Sequence, residues 1–247
     1  MTPRFGLQLY TLRDDCARDL EGVLAFVAGC GYAGVEVATL HERGARELRA
    51  LLDANGLAVA SVHALPFGDA AARAFDDAQA LGAPLVVVPF AHPDRFASAS
   101  SVAAIADELN AACALARSRG LRLGYHNHFW EWRALEDGGA AFDALVARLD
   151  PAVELELDIY WATTARRDPA AVISEHGARV TRLHLKDGPA DVPESPMVAL
   201  GDGVVDLRSA MREAKHADWM LVELDQCAGE MRDAVRRSAE WLALTPR

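Results

Sequence analysis

The chain has 247 residues, 51% of them hydrophobic, with a formal net charge of −11 and a pI of about 5.2. That length and apolar content suffice for one large core, and the acidic balance argues against nucleic acid or an anionic membrane as the main partner. No apolar run approaches the ~20 residues that cross a bilayer. The N-terminal stretch lacks a signal-peptide pattern, and Cys16, Cys30, Cys113 and Cys227 form no paired motif, so a reduced, cytoplasmic protein is expected.

Taken in chain order, short apolar runs of strand character fall at residues 5–10, 34–38, 58–65, 84–89, 121–126, 153–159, 180–185 and 219–224. Stretches of helical period fill 20–29, 45–54, 70–81, 102–119, 140–149, 169–176, 207–215 and 231–244. Glycines stop helices just ahead of strands, as in Gly29-Cys-Gly-Tyr-Ala-Gly34, Asn55-Gly56, Leu81-Gly82 and Arg119-Gly120. Eight βα units with right-handed crossovers predict an α/β fold, a closed (β/α)8 TIM barrel, as a single domain over residues 1–247. An open doubly wound sheet is the alternative, but no GxGxxG follows the first strand and no P-loop is present. The long Pro/Gly-rich stretch at 187–206 is expected to cover the C-terminal face.

The second half carries the chemistry. Four strand runs end in metal-ligand or proton-transfer residues: Leu123-Gly-Tyr-His-Asn-His128, Leu155-Glu-Leu-Asp-Ile159, Val180-Thr-Arg-Leu-His-Leu-Lys-Asp187 and Met220-Leu-Val-Glu-Leu-Asp225. Strand residues two apart share a face, so His126 and His128 fall opposite Leu121, Leu123 and Tyr125. Packing that apolar set under helices turns the histidines into the barrel. Asp158, His184 and Glu223 are the matching inward residues of the next three strands, at the end where barrel enzymes place their sites. Two imidazoles and two carboxylates suit Mn²⁺, Fe²⁺, Co²⁺ or Zn²⁺ better than Mg²⁺ or Ca²⁺. One divalent ion on His126, Asp158, His184 and Glu223 is expected, Mn²⁺ first among these.

Glu36, His63 and Tyr10, with Gln8, fall near the ends of the early strands and are candidates to line the same pocket. Phe129-Trp-Glu-Trp132 and Tyr160-Trp161 follow two of the ligand strands, which puts Trp130 and Trp161 where rings stack on sugars. Glu131 becomes a further carboxylate of the site if its loop folds inward. Arg122, Arg182 and Glu156 lie deeper by the same alternation and read as a compensated charge cluster at the closed end.

Gly6-Leu-Gln-Leu-Tyr-Thr-Leu-Arg13, Gly31-Tyr-Ala-Gly-Val-Glu36, Gly124-Tyr-His-Asn-His128, Leu157-Asp-Ile-Tyr-Trp161, Leu183-His-Leu-Lys-Asp187, Gly201-Asp-Gly-Val-Val-Asp206 and Val222-Glu-Leu-Asp225 mark a resemblance over essentially the whole chain. The chain resembles the sugar phosphate isomerase/epimerase family, the xylose-isomerase-like TIM barrels. That resemblance implies one divalent ion held by a carboxylate on strand five, an Asp on six, a His on seven and a Glu on eight. Asp158, His184 and Glu223 match, whereas His126 stands where the family has a carboxylate. The departure points away from ketose epimerases with a symmetric Glu pair, and toward the inosose-dehydratase or keto-glycoside branch.

The implied reaction is proton abstraction next to the carbonyl of a keto-sugar or inosose through an enediolate. Reprotonation (isomerisation or epimerisation) or loss of a β-hydroxyl (dehydration) follows. Glu223 is the first choice of base, with His128, His63 or Lys186 as acid. Lys186 is otherwise expected to pair with Asp187 or Glu223. A small carbohydrate is the implied partner. Many family members form homo-oligomers, but no interface signal is legible in the sequence. Two other readings remain: a metal-free sugar-binding barrel, kept open by His126, and an endonuclease-IV-like hydrolase, disfavoured by its need for three metals and a basic groove.

Overall fold

The computed structural model describes residues 3–245. Its eight strands are β1 (Arg4–Gln8), β2 (Gly34–Val37), β3 (Ala58–His63), β4 (Leu85–Val88), β5 (Arg122–His126), β6 (Val153–Asp158), β7 (Val180–Leu185) and β8 (Trp219–Val222). They pair in chain order, all parallel, and β8 closes on β1. The helices are α1 (Arg13–Gly29), α2 (Ala45–Ala54), α3 (Ala71–Leu81), α4 (Ala99–Ser118), α5 (Ala141–Arg148), α6 (Ile159–Thr164), α7 (Pro169–His176), α8 (Leu207–Glu213) and α9 (Met231–Leu244). This is the expected single-domain (β/α)8 barrel.

Local chemistry explains the boundaries. Ser98 and Ser101 form a reciprocal capping box at the start of α4, and Asp168 followed by Pro169 opens α7. Gly82 ends α3 in the left-handed region, at φ +70°. Two elements depart from the sequence reading. α1 begins at Arg13 and is broken at Asp19 (φ −155°), so the expected helix over 20–29 is its second piece. α6 starts with no intervening loop because Asp158, the last residue of β6, is itself its N-cap; a strand run and a one-turn helix merge in the sequence pattern.

The main apolar core lies between strands and helices and takes the outward strand residues, such as Val35, Leu123, Tyr125, Leu155, Leu157, Leu183 and Val222. The barrel interior is different. Its closed end is plugged by a small separate cluster of Trp219, Leu221 and Ala60. A Cβ on Gly34 would lie 2.3 Å from the Ala58 carbonyl oxygen and 2.7 Å from the Trp219 ring, so only glycine fits beside that plug.

Above the plug, Arg182 is fully buried and donates to Ala60 O at 2.8 Å, with Glu154 3.7 Å away. Glu154 also pairs with Arg122 at 3.0 Å. The closed-end charge cluster therefore exists, but its carboxylate is Glu154. Glu156 belongs to the layer above, because the stagger of a closed barrel sets it beside His126 in register, while Asp158 aligns with His184.

Candidate active site

His126, Asp158, His184 and Glu223 converge at the C-terminal end of the barrel, all buried, with ligand atoms within 4.8 Å of one another. The sequence orients each. In His126-Asn127-His128, the middle residue turns outward and clamps β6: Asn127 Oδ1 accepts from Asp158 N (2.9 Å) and Nδ2 donates to Asp158 O (3.3 Å). Asp158 Oδ1 is then taken by the Trp161 amide as the cap of α6, at 2.9 Å. Asp158 Oδ2 is left buried without a hydrogen bond, although Lys186 Nζ stands 3.0 Å away, while His126 turns Nδ1 toward Glu156 Oε1 (3.3 Å) and Nε2 toward Asp158 Oδ2 (3.8 Å). An orphaned acceptor of this kind, in a borderline N/O donor set, fits a divalent transition-metal ion.

Electrostatics separate the groups. Burial holds His126 well below the ordinary imidazole range, so its ring is neutral and has a lone pair to offer. Burial also lowers His128, to about 3, with the Lys186 charge acting in the same direction. His184 goes the other way: burial opposes its charge, but Glu156, Glu223 and Glu36 raise it well above the usual value. Burial raises Asp158 to about 6 against the pull of Lys186. Glu223 is held well below the carboxylate range because Lys186 and His184 outweigh its burial. Lys186 Nζ lies 2.6 Å from Glu223, 2.7 Å from Asp225 and 3.0 Å from Asp158. The alternative pairing with Asp187 does not form, because the Asp187 carboxylate accepts four backbone amides of the 187–206 loop instead.

A cleft of about 340 Å³ opens above these groups and is lined by Tyr10, Ala38, His63, Pro89, Phe90, His126, His128, Lys186, Glu223 and Asp225. Tyr10 (44% exposed) and Phe90 (41%) form an aromatic mouth. The other sequence candidates lie behind this lining. Trp130 stacks on the His128 ring (centroids 4.2 Å, 10°), and Trp161 has Lys186 Nζ over its ring at 5.3 Å. Both therefore brace polar groups of the site. Glu131 is buried and turned away, accepting from Tyr125 Oη and His128 N, both at 2.9 Å. Glu36 is fully buried beneath His184, with its Oε2 2.7 Å from His184 Nε2. His63 bridges Glu156 (2.9 Å) and Glu36 (3.0 Å).

Sequence reasoning passed over Asn127 and Asp225 and set Glu156 too deep. The alternation that found Asp158 and Glu223 also puts Glu156 and Asp225 on their faces. Their heights depend on barrel stagger and on the loop after β8, which alternation does not encode.

The profile of the xylose isomerase-like TIM barrel family matches residues 24–244. The chain belongs to that family. A sugar phosphate isomerase/epimerase from Parabacteroides distasonis superposes with a TM-score of 0.85 at 23% identity, covering 100% of this chain and 95% of its own. An inosose dehydratase from Clostridium beijerinckii is 23% identical, over 83% of this chain and 82% of its own. A 2-epi-5-epi-valiolone 7-phosphate 2-epimerase from an Actinoplanes species is 35% identical over 138 residues, 54% of this chain but only 47% of that protein. A zinc-bound structure of the IolI protein has the same fold, with TM-score 0.71, 14% identity, and 97% and 96% of the two chains covered. The first three of these relatives are named as isomerases, epimerases and dehydratases, which supports an enzyme at that general level. Among the described residues, no helix is long and apolar enough to cross a membrane.

Proposed function

We propose that the protein is a divalent-metal-dependent isomerase, epimerase or dehydratase that removes a proton next to the carbonyl of a keto-sugar or inosose. The observation that carries this reading is the convergence of His126, Asp158, His184 and Glu223 directly beneath a cleft at the catalytic end of the barrel. His126 Nε2 lies 3.8 Å from Asp158 Oδ2, and His184 Nδ1 lies 2.7 Å from Glu223 Oε2. A divalent ion bound there supplies positive charge for the substrate oxygen that becomes negative as the proton leaves. Mn²⁺ is the first choice, with Fe²⁺, Co²⁺ and Zn²⁺ as the others this donor set accepts.

The residues of the chain divide the remaining work. Glu223 is ionised and lines the cleft from just past β8, where its free carboxylate capacity is suited to take the proton from carbon. His128 lines the other side from beyond β5, and the Trp130 stack fixes its ring. A group there exchanges protons with a substrate oxygen or with the opposite face of the same carbon. Returning the proton to carbon gives isomerisation or epimerisation; protonating a departing β-hydroxyl gives dehydration. Lys186 stands between Asp158, Glu223 and Asp225 and offsets the mutual repulsion of their carboxylates.

Lys186 is the one Lys or Arg lining the cleft among the described residues, and three carboxylates already surround it. A dianionic phosphate would find no uncommitted cation among these lining residues, which favours an uncharged keto-sugar or inosose as substrate.

The test is elemental analysis of wild-type and His184→Ala protein after chelation and reloading with Mn²⁺. It is followed by a screen of uncharged keto-sugars and inososes for deuterium uptake from D₂O. Near-stoichiometric metal in the wild type only, and exchange lost in Glu223→Gln, are expected. Full exchange in Glu223→Gln refutes its role as base; a wild type that takes no metal leaves a sugar-binding barrel in place of the enzyme.

A further inference from the structure

Below the four candidate ligands lies a second layer of Glu36, His63 and Glu156, in which Glu36 and Glu156 are buried and His63 alone reaches the cleft. Its hydrogen-bond directions can be worked out from one fixed donor. The Tyr10 backbone amide donates to Gln8 Oε1 at 3.1 Å, which assigns the other end of that amide as nitrogen. Gln8 Nε2 donates to Glu36 Oε2 at 2.7 Å and lies 3.2 Å from His63 Nδ1. The Ser61 hydroxyl donates to Glu36 Oε1 at 2.6 Å. Both oxygens of Glu36 are thus acceptors. His184 Nε2, 2.7 Å from Glu36 Oε2 and 3.1 Å from Glu156 Oε1, faces only acceptors and carries a hydrogen. His184 Nδ1 also faces a carboxylate, Glu223 Oε2 at 2.7 Å, but Glu223 is itself a candidate ligand, so the lone pair of a ligating His184 is on Nδ1.

We infer that Glu36 is a positioning residue that fixes which nitrogen of His184 faces the metal ion, with Gln8 and Ser61 holding its carboxylate in place. The inference rests on the metal-dependent reading above. A carboxylate behind a ligating imidazole sets its tautomer, its ring plane and its basicity. The same assignment settles the second group of potential ligands, His63, His126, Glu156 and His184, whose atoms also lie within 4.8 Å of one another. His63 Nε2 faces Glu156 and Glu36, and His184 Nε2 faces Glu36 and Glu156, so both nitrogens bear hydrogens and neither has a lone pair for a second ion. The inner layer orients ligands; it does not bind metal.

Two measurements test this. Long-range ¹H–¹⁵N correlation on the Zn²⁺-loaded protein reports directly which nitrogen of His184 is protonated; Nε2 is expected, and a protonated Nδ1 overturns the inference. Mn²⁺ titration followed by the electron paramagnetic resonance of the free ion gives stoichiometry and affinity. One equivalent is expected, with Glu36→Leu binding roughly 10–100-fold more weakly. Glu36→Gln is expected to stay near wild-type affinity, because its amide oxygen can occupy the position that receives the histidines while its nitrogen turns to the Ser61 hydroxyl, which is able to accept. A general packing role predicts no difference between the Leu and Gln variants, since both nearly match glutamate in volume. Unchanged Mn²⁺ affinity in Glu36→Leu, or two equivalents bound by wild type, overturns the inference alone; a wild type that takes no Mn²⁺ overturns the metal-dependent reading with it. Where Glu36→Leu fails to fold, the histidine spectrum of the wild type still decides.

Discussion

Replacing Asp187 with Asn should release the 187–206 loop from the face of the barrel. The buried Asp187 carboxylate accepts from Gly188 N (2.9 Å) and Val205 N (3.2 Å) on Oδ1, and from Gly201 N (2.9 Å) and Gly203 N (3.1 Å) on Oδ2. An asparagine keeps one acceptor oxygen. Its best orientation serves the buried pair, Gly188 and Val205, and presents an NH₂ group to Gly201 and Gly203. Two charge-assisted bonds are lost, each about 1.5 kcal/mol at the low end because these donors lie near the surface and can turn to water. The total is about 3 kcal/mol, which corresponds to roughly a hundredfold change in the opening equilibrium.

Hydrogen exchange by mass spectrometry should show peptides from 188–205 exchanging faster by about that factor, with β1–β6 unaffected. Activity should fall as well. Met197 in this loop receives Asp225 N on its sulfur at 3.3 Å and donates its own amide to Gln226 O at 3.2 Å, and Asp225 is a partner of Lys186. Unchanged protection of 188–205 in Asp187→Asn would refute the reasoning.

Gly203→Ala should give the same exchange signature from the other side, because a Cβ there would lie 2.1 Å from Asp187 Oδ1 and 2.3 Å from Gly188 N; a loop as protected as wild type counts against a close approach at that point. Lys186→Met leaves Asp158, Glu223 and Asp225 without the cation they share, at a cost on the order of 3–5 kcal/mol, to be read from denaturant unfolding of the metal-free protein. Glu131 supplies a pH dependence: burial raises its carboxyl from 4.5 to about 8. The folded state then keeps a proton that the unfolded state has released. The stabilisation is complete below about pH 4.5 and is lost as pH rises toward 8, at about 1.4 kcal/mol per pH unit. Unfolding free energies of Glu131→Gln should lack this fall between pH 5 and 8; parallel curves for the two proteins would contradict it. Cys16, whose burial pushes its thiol up to about 12, should resist alkylation in the native protein at pH 8, and rapid labelling there would show that its environment opens.

Much of the site can be read from strand alternation. The rule that turns Leu123 and Tyr125 toward the helices turns His126 inward, and the same rule selects Asp158, His184 and Glu223. It misjudges Glu156, because two residues along a strand is a fixed spacing while height in a closed barrel also depends on how far each strand is displaced from its neighbour. It also leaves Glu131, Trp130 and Trp161 undecided. These follow strand ends, where no periodicity operates. Glu131 is drawn back to Tyr125 and the His128 amide, while the two rings settle on His128 and Lys186.

The order of elements, the closed parallel barrel and the identity of the four converging residues follow from local pattern, because hydrophobic period and helix stops are properties of neighbouring residues. Three-dimensional closure decides the rest. It puts Glu36 from β2 against His184 from β7, 148 positions along the chain, and sets Lys186 among three carboxylates, one from β6 and two from the segment after β8. Those contacts carry no signal in any window of sequence, since they arise only when eight strands share one axis and their inward side chains must satisfy one another in a space closed to water.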